Sequence, residues 1–126
     1  MILLDTDFIF NFFDENQSNH SKANDLVEKY VDCQFIISNL VRQELATVLS
    51  VRLGYQFWRE VEAALSEFEV IDIFLKEDQT QSIWELFNNF KKKNISFIDC
   101  SNLYLAQKYN YKIASFDKFY PKEILI

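Results

Sequence analysis

Short apolar runs alternate along the chain with longer segments whose hydrophobic residues recur at spacings of three and four. A short apolar run that ends in a polar residue is typical of a buried parallel strand, and the longer spacing is typical of an amphipathic helix. We predict strands over residues 1–5, 34–38, 70–75 and 112–116, with a short fifth strand over 124–126. We predict helices over residues 6–13, 21–31, 39–53, 55–68, 78–92 and 98–109. The alternation predicts an α/β fold with a mainly parallel sheet of four to five strands, covered by helices on both faces.

The length of 126 residues predicts a single domain over 1–126, and the hydrophobic share of 49% is enough for a substantial core. With one glycine, the chain lacks the glycine-rich phosphate loops of nucleotide-binding folds. No apolar run approaches the roughly 20 residues of a membrane span, and the first residues lack the basic region of a signal peptide. We therefore expect a cytoplasmic protein that does not bind a membrane.

The formal net charge of −6 opposes binding to nucleic acid, because phosphate contacts need lysine and arginine. This argument weakens if several acids are metal ligands, since a bound cation offsets their charge and itself attracts phosphate. A negative surface also suits a basic protein partner. The lysine run at residues 91–93 has two open interpretations: a solvated helix end that favours the helix dipole, or a contact to an RNA backbone.

Four acids are expected to meet at one edge of the predicted sheet. Asp5 and Asp117 come directly after predicted strands. Glu44 lies in the second turn of a helix that starts at the same edge, and Asp99 lies in the first turn of another helix. Ligands of open α/β sheets bind beyond the carboxyl ends of the strands. Clustered carboxylates repel one another unless a hard divalent cation neutralises them, which favours Mg²⁺ or Mn²⁺ chemistry on a phosphodiester.

Each of these acids also has a local structural interpretation. Asp5 could cap the following helix, and Asp99 could complete a capping box with Ser96. Asp117 could shape a turn, and Glu44 could be an acid at the edge of a helix. The placement of all four at one end of one sheet favours the metal site over four unrelated local roles.

Four segments resemble the PIN-domain ribonucleases, and among them the compact VapC-type toxins of bacterial toxin–antitoxin pairs. They run in family order across nearly the whole chain: residues 2–7 (ILLDTD), residues 37–45 (ISNLVRQEL), residues 96–99 (SFID) with Ala106 downstream, and residues 114–119 (ASFDKF). The resemblance implies a three-layer α/β/α fold and a metal-dependent endoribonuclease whose catalytic acids are Asp5, Glu44, Asp99 and Asp117. It also implies a homodimer and a co-expressed antitoxin that covers the site. The sequence departs from the family where Asp7 stands at a position that is often Asn or another small polar residue.

Within this interpretation, Asp5 and Asp99 are the first choices as direct ligands of Mg²⁺ or Mn²⁺. Glu44 and Asp117 would complete the metal site, directly or through water. Thr6 and Ser115 could donate hydrogen bonds that orient the ligand carboxylates, and both are equally ordinary as hydroxyls that bond to nearby backbone. Asn102, one turn after Asp99, is also expected to face the site.

Two other functions fit parts of the sequence. Residues 3–7 (LLDTD) look like the nucleophile motif of haloacid-dehalogenase-type aspartyl phosphatases, in which Asp5 would attack phosphorus and Asp7 would act as the acid. That family also needs a lysine and a later acidic pair, usually near glycine, and the only glycine here is Gly54. The second alternative is a non-catalytic PIN-like module that only binds a protein partner.

Overall fold

The computed structural model describes all residues, 1–126. Four strands form one sheet in the order β3-β2-β1-β4, and every neighbouring pair is parallel. Leu3 at the centre pairs with Ile36 on one side and Ile113 on the other. The strands are β1 (Ile2–Leu4), β2 (Phe35–Ser38), β3 (Ile71–Ile73) and β4 (Lys112–Ala114).

Six α-helices connect and cover the strands. They are α1 (Thr6–Phe13), α2 (His20–Lys29), α3 (Asn39–Leu53), α4 (Tyr55–Glu67), α5 (Glu77–Phe90) and α6 (Phe97–Tyr109). Gly54 separates α3 from α4 with a φ of +98°, a backbone conformation that side chains with a Cβ rarely adopt. The chain can therefore break between two helices without a long loop. No helix is both long and apolar enough to span a bilayer.

Helices cover both faces of the sheet at β1, β2 and β4, whereas β3 is largely exposed. Successive strand residues point to opposite faces. Ile2 and Leu4 pack into one hydrophobic cluster with residues of α1, α2, α3 and α4. Leu3 packs into a second cluster with residues of α5 and α6. The predicted three-layer α/β/α arrangement is therefore confirmed.

The predicted fifth strand over residues 124–126 is wrong. The chain forms a 3₁₀-helix, Lys122–Ile124, in which the Ile124 N–H donates to the Pro121 carbonyl at 3.1 Å. Pro121 fixes its own φ in this turn, so only the last two residues reach the sheet. They make a single bridge between Leu125 and Ile113, and the Ile126 N–H donates to the Ile113 carbonyl at 3.1 Å. The sheet keeps four strands.

Candidate active site

The strand order creates a crevice between β1 and β4. After β1 the chain builds β2 and β3 on one side of it, and it then crosses over to place β4 on the other side. Ligands of open α/β sheets bind at such a reversal, beyond the carboxyl ends of the strands. Asp5 follows β1 directly, Ser115 follows β4 directly, and the Asp5 N–H donates to the Ala114 carbonyl at 3.1 Å. The two sequence segments with the clearest candidate residues therefore meet in this crevice.

Asp5 forms the base of the crevice and is only 5% exposed. Its Oδ1 accepts hydrogen bonds from the Thr6 N–H at 2.9 Å and from Asn102 Nδ2 at 3.1 Å. Its Oδ2 accepts from Ser115 Oγ at 2.9 Å and from the Tyr120 hydroxyl at 3.3 Å. Four donors from three parts of the chain thus fix the orientation of one carboxylate. The expected role of Asp5 as the helix cap of α1 also holds, because the Thr6 N–H is the first donor of that helix.

Asp7 lies beside Asp5 and shares its hydroxyl partner. Ser115 Oγ is 3.1 Å from Asp7 Oδ1, and the Phe116 N–H donates to Asp7 Oδ2 at 3.1 Å. A hydroxyl has one proton, so Ser115 cannot donate to Asp5 and Asp7 at the same time. Both contacts to Ser115 are hydrogen bonds only if one of the two carboxyl groups is protonated and donates to the Ser115 oxygen.

Asp99 and Asp117 reach the site from α6 and from the turn after β4. Asp99 completes the capping box: its N–H donates to Ser96 Oγ and its Oδ2 accepts from the Ser96 N–H, both at 3.0 Å. Asp117 is exposed and accepts from the Phe119 N–H at 2.9 Å, while its own N–H donates to Ser115 Oγ at 3.0 Å. Both local interpretations of these acids are confirmed. Neither prevents the carboxylates from facing the crevice.

The five acids lie close enough together for the charge of one to raise the pKa of another. Burial, together with the charges of Asp7 and Asp99, raises the pKa of Asp5 to about 7. Burial also raises the pKa of Glu44, assisted by the charges of Asp99 and Asp7. The pKa values of Asp7 and Asp99 are raised by burial and then, against their hydrogen bonds, by the charge of Asp117. The structure thus brings the four predicted acids together and adds a fifth, Asp7.

The family described as PIN domain matches residues 2–122. The chain belongs to the PIN-domain family. This PIN domain is similar in fold to the solved structure of VapC20, a Mycobacterium tuberculosis toxin that cleaves the sarcin–ricin loop, with a TM-score of 0.82. The two sequences are 20% identical, and the match covers 94% of this chain and 92% of that chain. No curated protein matches the sequence. Membership of a family of nucleases leaves no support for the phosphatase alternative.

The donor atoms of this PIN domain suit a hard divalent cation. All five acids offer carboxylate oxygens, and none of them forms an ion pair with a lysine or arginine. Burial, assisted by the charges of the neighbouring acids, raises the pKa values of Asp5, Asp7, Glu44 and Asp99. The fully buried Asn102 Oδ1 accepts no hydrogen bond, which leaves a further oxygen next to Asp5. No three His, Cys, Asp or Glu side chains stand as a ready-made cage. Mg²⁺ commonly keeps several waters and uses one or two carboxylates together with substrate phosphates, so the donor set fits that ion.

Two contacts of the site were not expected from the sequence. Tyr120 is 2% exposed, and its hydroxyl lies between Asp5 Oδ2 at 3.3 Å and Asn102 Nδ2 at 3.2 Å. Burial, reinforced by the charge of Asp5, raises the pKa of Tyr120, so the hydroxyl keeps its proton and can donate. Thr6 contacts Asp5 through its backbone N–H only, and its buried hydroxyl has no partner. Ser115 and Asn102, in contrast, bond to Asp5 as expected.

A separate cavity of about 160 Å³ lies under α1, and its twelve lining residues are all hydrophobic. It includes Leu4 and Phe8 but none of the five acids. The Cys33 thiol is the one ionisable group among the lining residues, so the cavity has neither the carboxylates of the crevice nor an imidazole.

Proposed function

We propose that this PIN domain is a metal-dependent endoribonuclease that hydrolyses phosphodiester bonds of RNA. The observation that supports this most strongly is the placement of five carboxylates at the crevice between β1 and β4, around an Asp5 held by four hydrogen bonds. Repulsion between buried carboxylates destabilises the fold, and such clusters are typical of functional sites. Carboxylates around an open crevice suit a cation that must also bind phosphate.

Asp5 and Asp99 are proposed as the direct ligands of Mg²⁺ or Mn²⁺, with Glu44 and Asp117 completing the metal site directly or through water. When bound, the cation supplies an activated water and stabilises charge on the phosphoryl and leaving oxygens. The protein's own side chains orient the proposed ligands. Asn102 and Tyr120 hold Asp5 in one orientation through donors at 3.1 and 3.3 Å.

We propose that Glu44 accepts a proton from the attacking water. Its carboxylate makes no hydrogen bond or ion pair within the chain, and it is half-buried. Burial and the neighbouring charges of Asp99 and Asp7 raise its pKa, which brings it closer to neutral pH, where a general base works best. Asp7, bonded to Ser115 and the Phe116 N–H, is proposed to orient Ser115 rather than to act on the substrate.

We further propose that the enzyme is the toxin of a toxin–antitoxin pair and acts in the cytoplasm as a homodimer. Its fold is shared with the toxin VapC20, and its net charge of −6 suits a basic partner. A basic antitoxin could insert an Arg or Lys among Asp5, Glu44, Asp99 and Asp117. Such a side chain would replace the cation by charge-assisted hydrogen bonds and so block the site.

The nuclease proposal is tested by incubating a labelled single-stranded RNA with the wild type and with Asp5→Asn. We expect cleavage by the wild type in Mg²⁺ or Mn²⁺, and none by the variant or by the wild type in EDTA. Folding of the variant is verified by circular dichroism. A wild type that cuts no RNA with either metal, across a panel of cellular RNAs, would favour the non-catalytic binding module.

The toxin proposal needs a separate experiment. Expression of the wild type in the native host, with the neighbouring gene deleted, should arrest growth, and expression of Asp5→Asn should not. Co-expression of the neighbouring gene should restore growth and yield a stable complex. Equal growth with the wild type and Asp5→Asn would refute the toxin role and leave the nuclease role standing.

A further inference from the structure

Three aromatic side chains pack together in a partly exposed cluster where α5 meets the start of α6. We call Trp84, Phe87 and Phe97 the aromatic surface. The ring centroids of Trp84 and Phe97 are 4.3 Å apart, and Phe87 lies 5.9 Å from Trp84 and 6.0 Å from Phe97. Trp84 is 49% exposed, and Phe87 and Phe97 are half-buried. The hydrophobic core therefore does not account for the position of the Trp84 ring.

The aromatic surface begins two residues from an acid of the candidate active site. Phe97 begins α6, and Asp99 lies in the same first turn. At the end of α5, the rings of Phe90 and Phe119 are 5.3 Å apart, and Phe119 contacts Tyr120 at 5.2 Å. The hydroxyl of Tyr120 in turn contacts Asp5, so α5 is linked by ring contacts to the base of the crevice.

The loop after α5 and the turn after β4 have a positive charge that the chain as a whole lacks. Residues 91–96 and 115–121 hold four of the 13 lysine and arginine residues, and the only acid among them is Asp117. The lysine run at residues 91–93 is fully in the exposed loop between α5 and Ser96, and it follows Phe90 directly. Lys118 is exposed beside Asp117. None of these lysines forms an ion pair within the chain.

Exposed aromatic rings next to unpaired lysines match the chemistry of single-stranded RNA. Nucleobases stack on aromatic side chains, and phosphates attract lysines. A second copy of this chain would fit less well, because a symmetric contact through this surface would bring two lysine runs together. The phosphates of an RNA would instead neutralise them.

We infer that the aromatic surface and the lysine run bind the single-stranded RNA beside the scissile bond, with one nucleobase stacked on Trp84 and phosphates on residues 91–93. This inference rests on the proposed nuclease function and names a positioning surface for its substrate. Trp84 would hold the strand in place and would take no part in bond cleavage.

The stacking contact is tested with Trp84→Ala, the conservative Trp84→Phe, and Phe74→Ala as a matched control at a ring that is 74% exposed elsewhere. Each protein is given an RNA whose cut site is mapped, with an abasic nucleotide placed in turn at each flanking position. In the wild type one abasic position should raise KM by about fivefold or more, the low end for loss of one base–aromatic stack, with little change in kcat. Trp84→Ala should show the raised KM without any abasic effect, whereas Trp84→Phe and Phe74→Ala should behave as the wild type. An undiminished abasic effect in Trp84→Ala would overturn the inference.

The phosphate contact is tested by salt dependence. Each neutralised phosphate contributes about −0.7 to the slope of log affinity against log salt for a single strand, so Lys92→Ala should flatten the slope by about that amount. Lys29→Ala, a matched change at an exposed lysine on α2, should leave the slope unchanged. Equal slopes in all three proteins would overturn the role of the lysine run.

Binding without cleavage separates this inference from the nuclease proposal. The chain has two tryptophans, so Trp58→Phe leaves Trp84 as the single tryptophan, whose emission is excited apart from that of the tyrosines. In EDTA, a ten-nucleotide oligouridylate should quench Trp84, and an abasic strand of equal length should not. A wild type that cuts no RNA would refute the nuclease proposal. The quenching result would then still show whether the aromatic surface binds single-stranded RNA. If Trp84→Ala instead lowers the molecular mass in solution from dimer to monomer, the surface belongs to a second copy and the inference is wrong.

Discussion

The charge on Asp5 should destabilise the metal-free fold, and Asp5→Asn tests this directly. In the unfolded chain the carboxyl ionises near pH 3.8, whereas burial and the neighbouring Asp7 charge raise its pKa to about 7 in the folded protein. Well below pH 3.8 both states hold the proton, and the group has no effect on stability. As the pH rises to about 7 the unfolded state loses the proton first, so the free energy of unfolding falls.

The expected size follows from that difference in pKa. Each unit is worth about 1.4 kcal/mol, so the ionised Asp5 costs about 4 kcal/mol at about pH 8. The total stability of a domain is only about 5–15 kcal/mol, so the effect is large enough to measure. Asparagine has nearly the same shape. Its Oδ1 can keep the bonds from the Thr6 N–H and Asn102 Nδ2, and the hydroxyls of Ser115 and Tyr120 can rotate to accept from its amide.

The assay is urea unfolding in EDTA, followed by circular dichroism from about pH 4.5 to about pH 8, a range that spans the shifted pKa. The free energy of unfolding of the wild type should fall more steeply with pH than that of Asp5→Asn, which should be several kcal/mol more stable at the alkaline end. Mn²⁺ should remove most of the difference, because an ion that binds only the folded wild type stabilises it. Parallel pH profiles for the two proteins would refute the reasoning.

Three further predictions concern the other site residues. Asp99→Asn removes a proposed metal ligand and should abolish cleavage, but it keeps an oxygen for the Ser96 N–H and should not lower metal-free stability. A fall in the free energy of unfolding beyond the roughly 1 kcal/mol of a helix cap would favour a structural role. Glu44→Gln and Asp117→Asn should each reduce initial rates of RNA cleavage by about tenfold or more, the low end for lost support of a metal site, while the exposed Asp25→Asn should not. Equal loss in all three would mean that the site is misplaced. Tyr120→Phe removes a donor to Asp5 and should move the acidic limb of the pH–rate profile to higher pH, and an unmoved limb would show that this hydrogen bond is unimportant.

The sheet could be predicted because each apolar run forms a strand, and the polar residue after the run lies at the edge where that strand ends. Asp5 and Asp117 follow such runs directly, so their meeting needed only parallel strands. The sequence also predicted the cap at Asp5 and the capping box at Asp99. In the structure these local roles and membership of the acid cluster coexist, because a helix that starts at the sheet edge presents its capping acid there.

The contacts that were missed depend on packing between distant parts of the chain. Asp7 joins the site through Ser115, which is 108 positions away in the sequence. Its spacing of two from Asp5 within the first turn of α1 was the available signal, and it was assigned to the phosphatase motif. Tyr120 becomes buried only because the chain turns after β4, and the same turn at Pro121 removed the predicted fifth strand.

Calorimetric titration of Mn²⁺ tests most directly whether the five carboxylates form a metal centre, and it does not depend on knowing the RNA. The wild type and the control Asp25→Asn should bind Mn²⁺ with the same affinity, and Asp5→Asn/Asp99→Asn should bind at least about tenfold more weakly, as expected for loss of metal ligands. Equal binding by all three proteins would contradict the central claim, because the cation would then be held elsewhere.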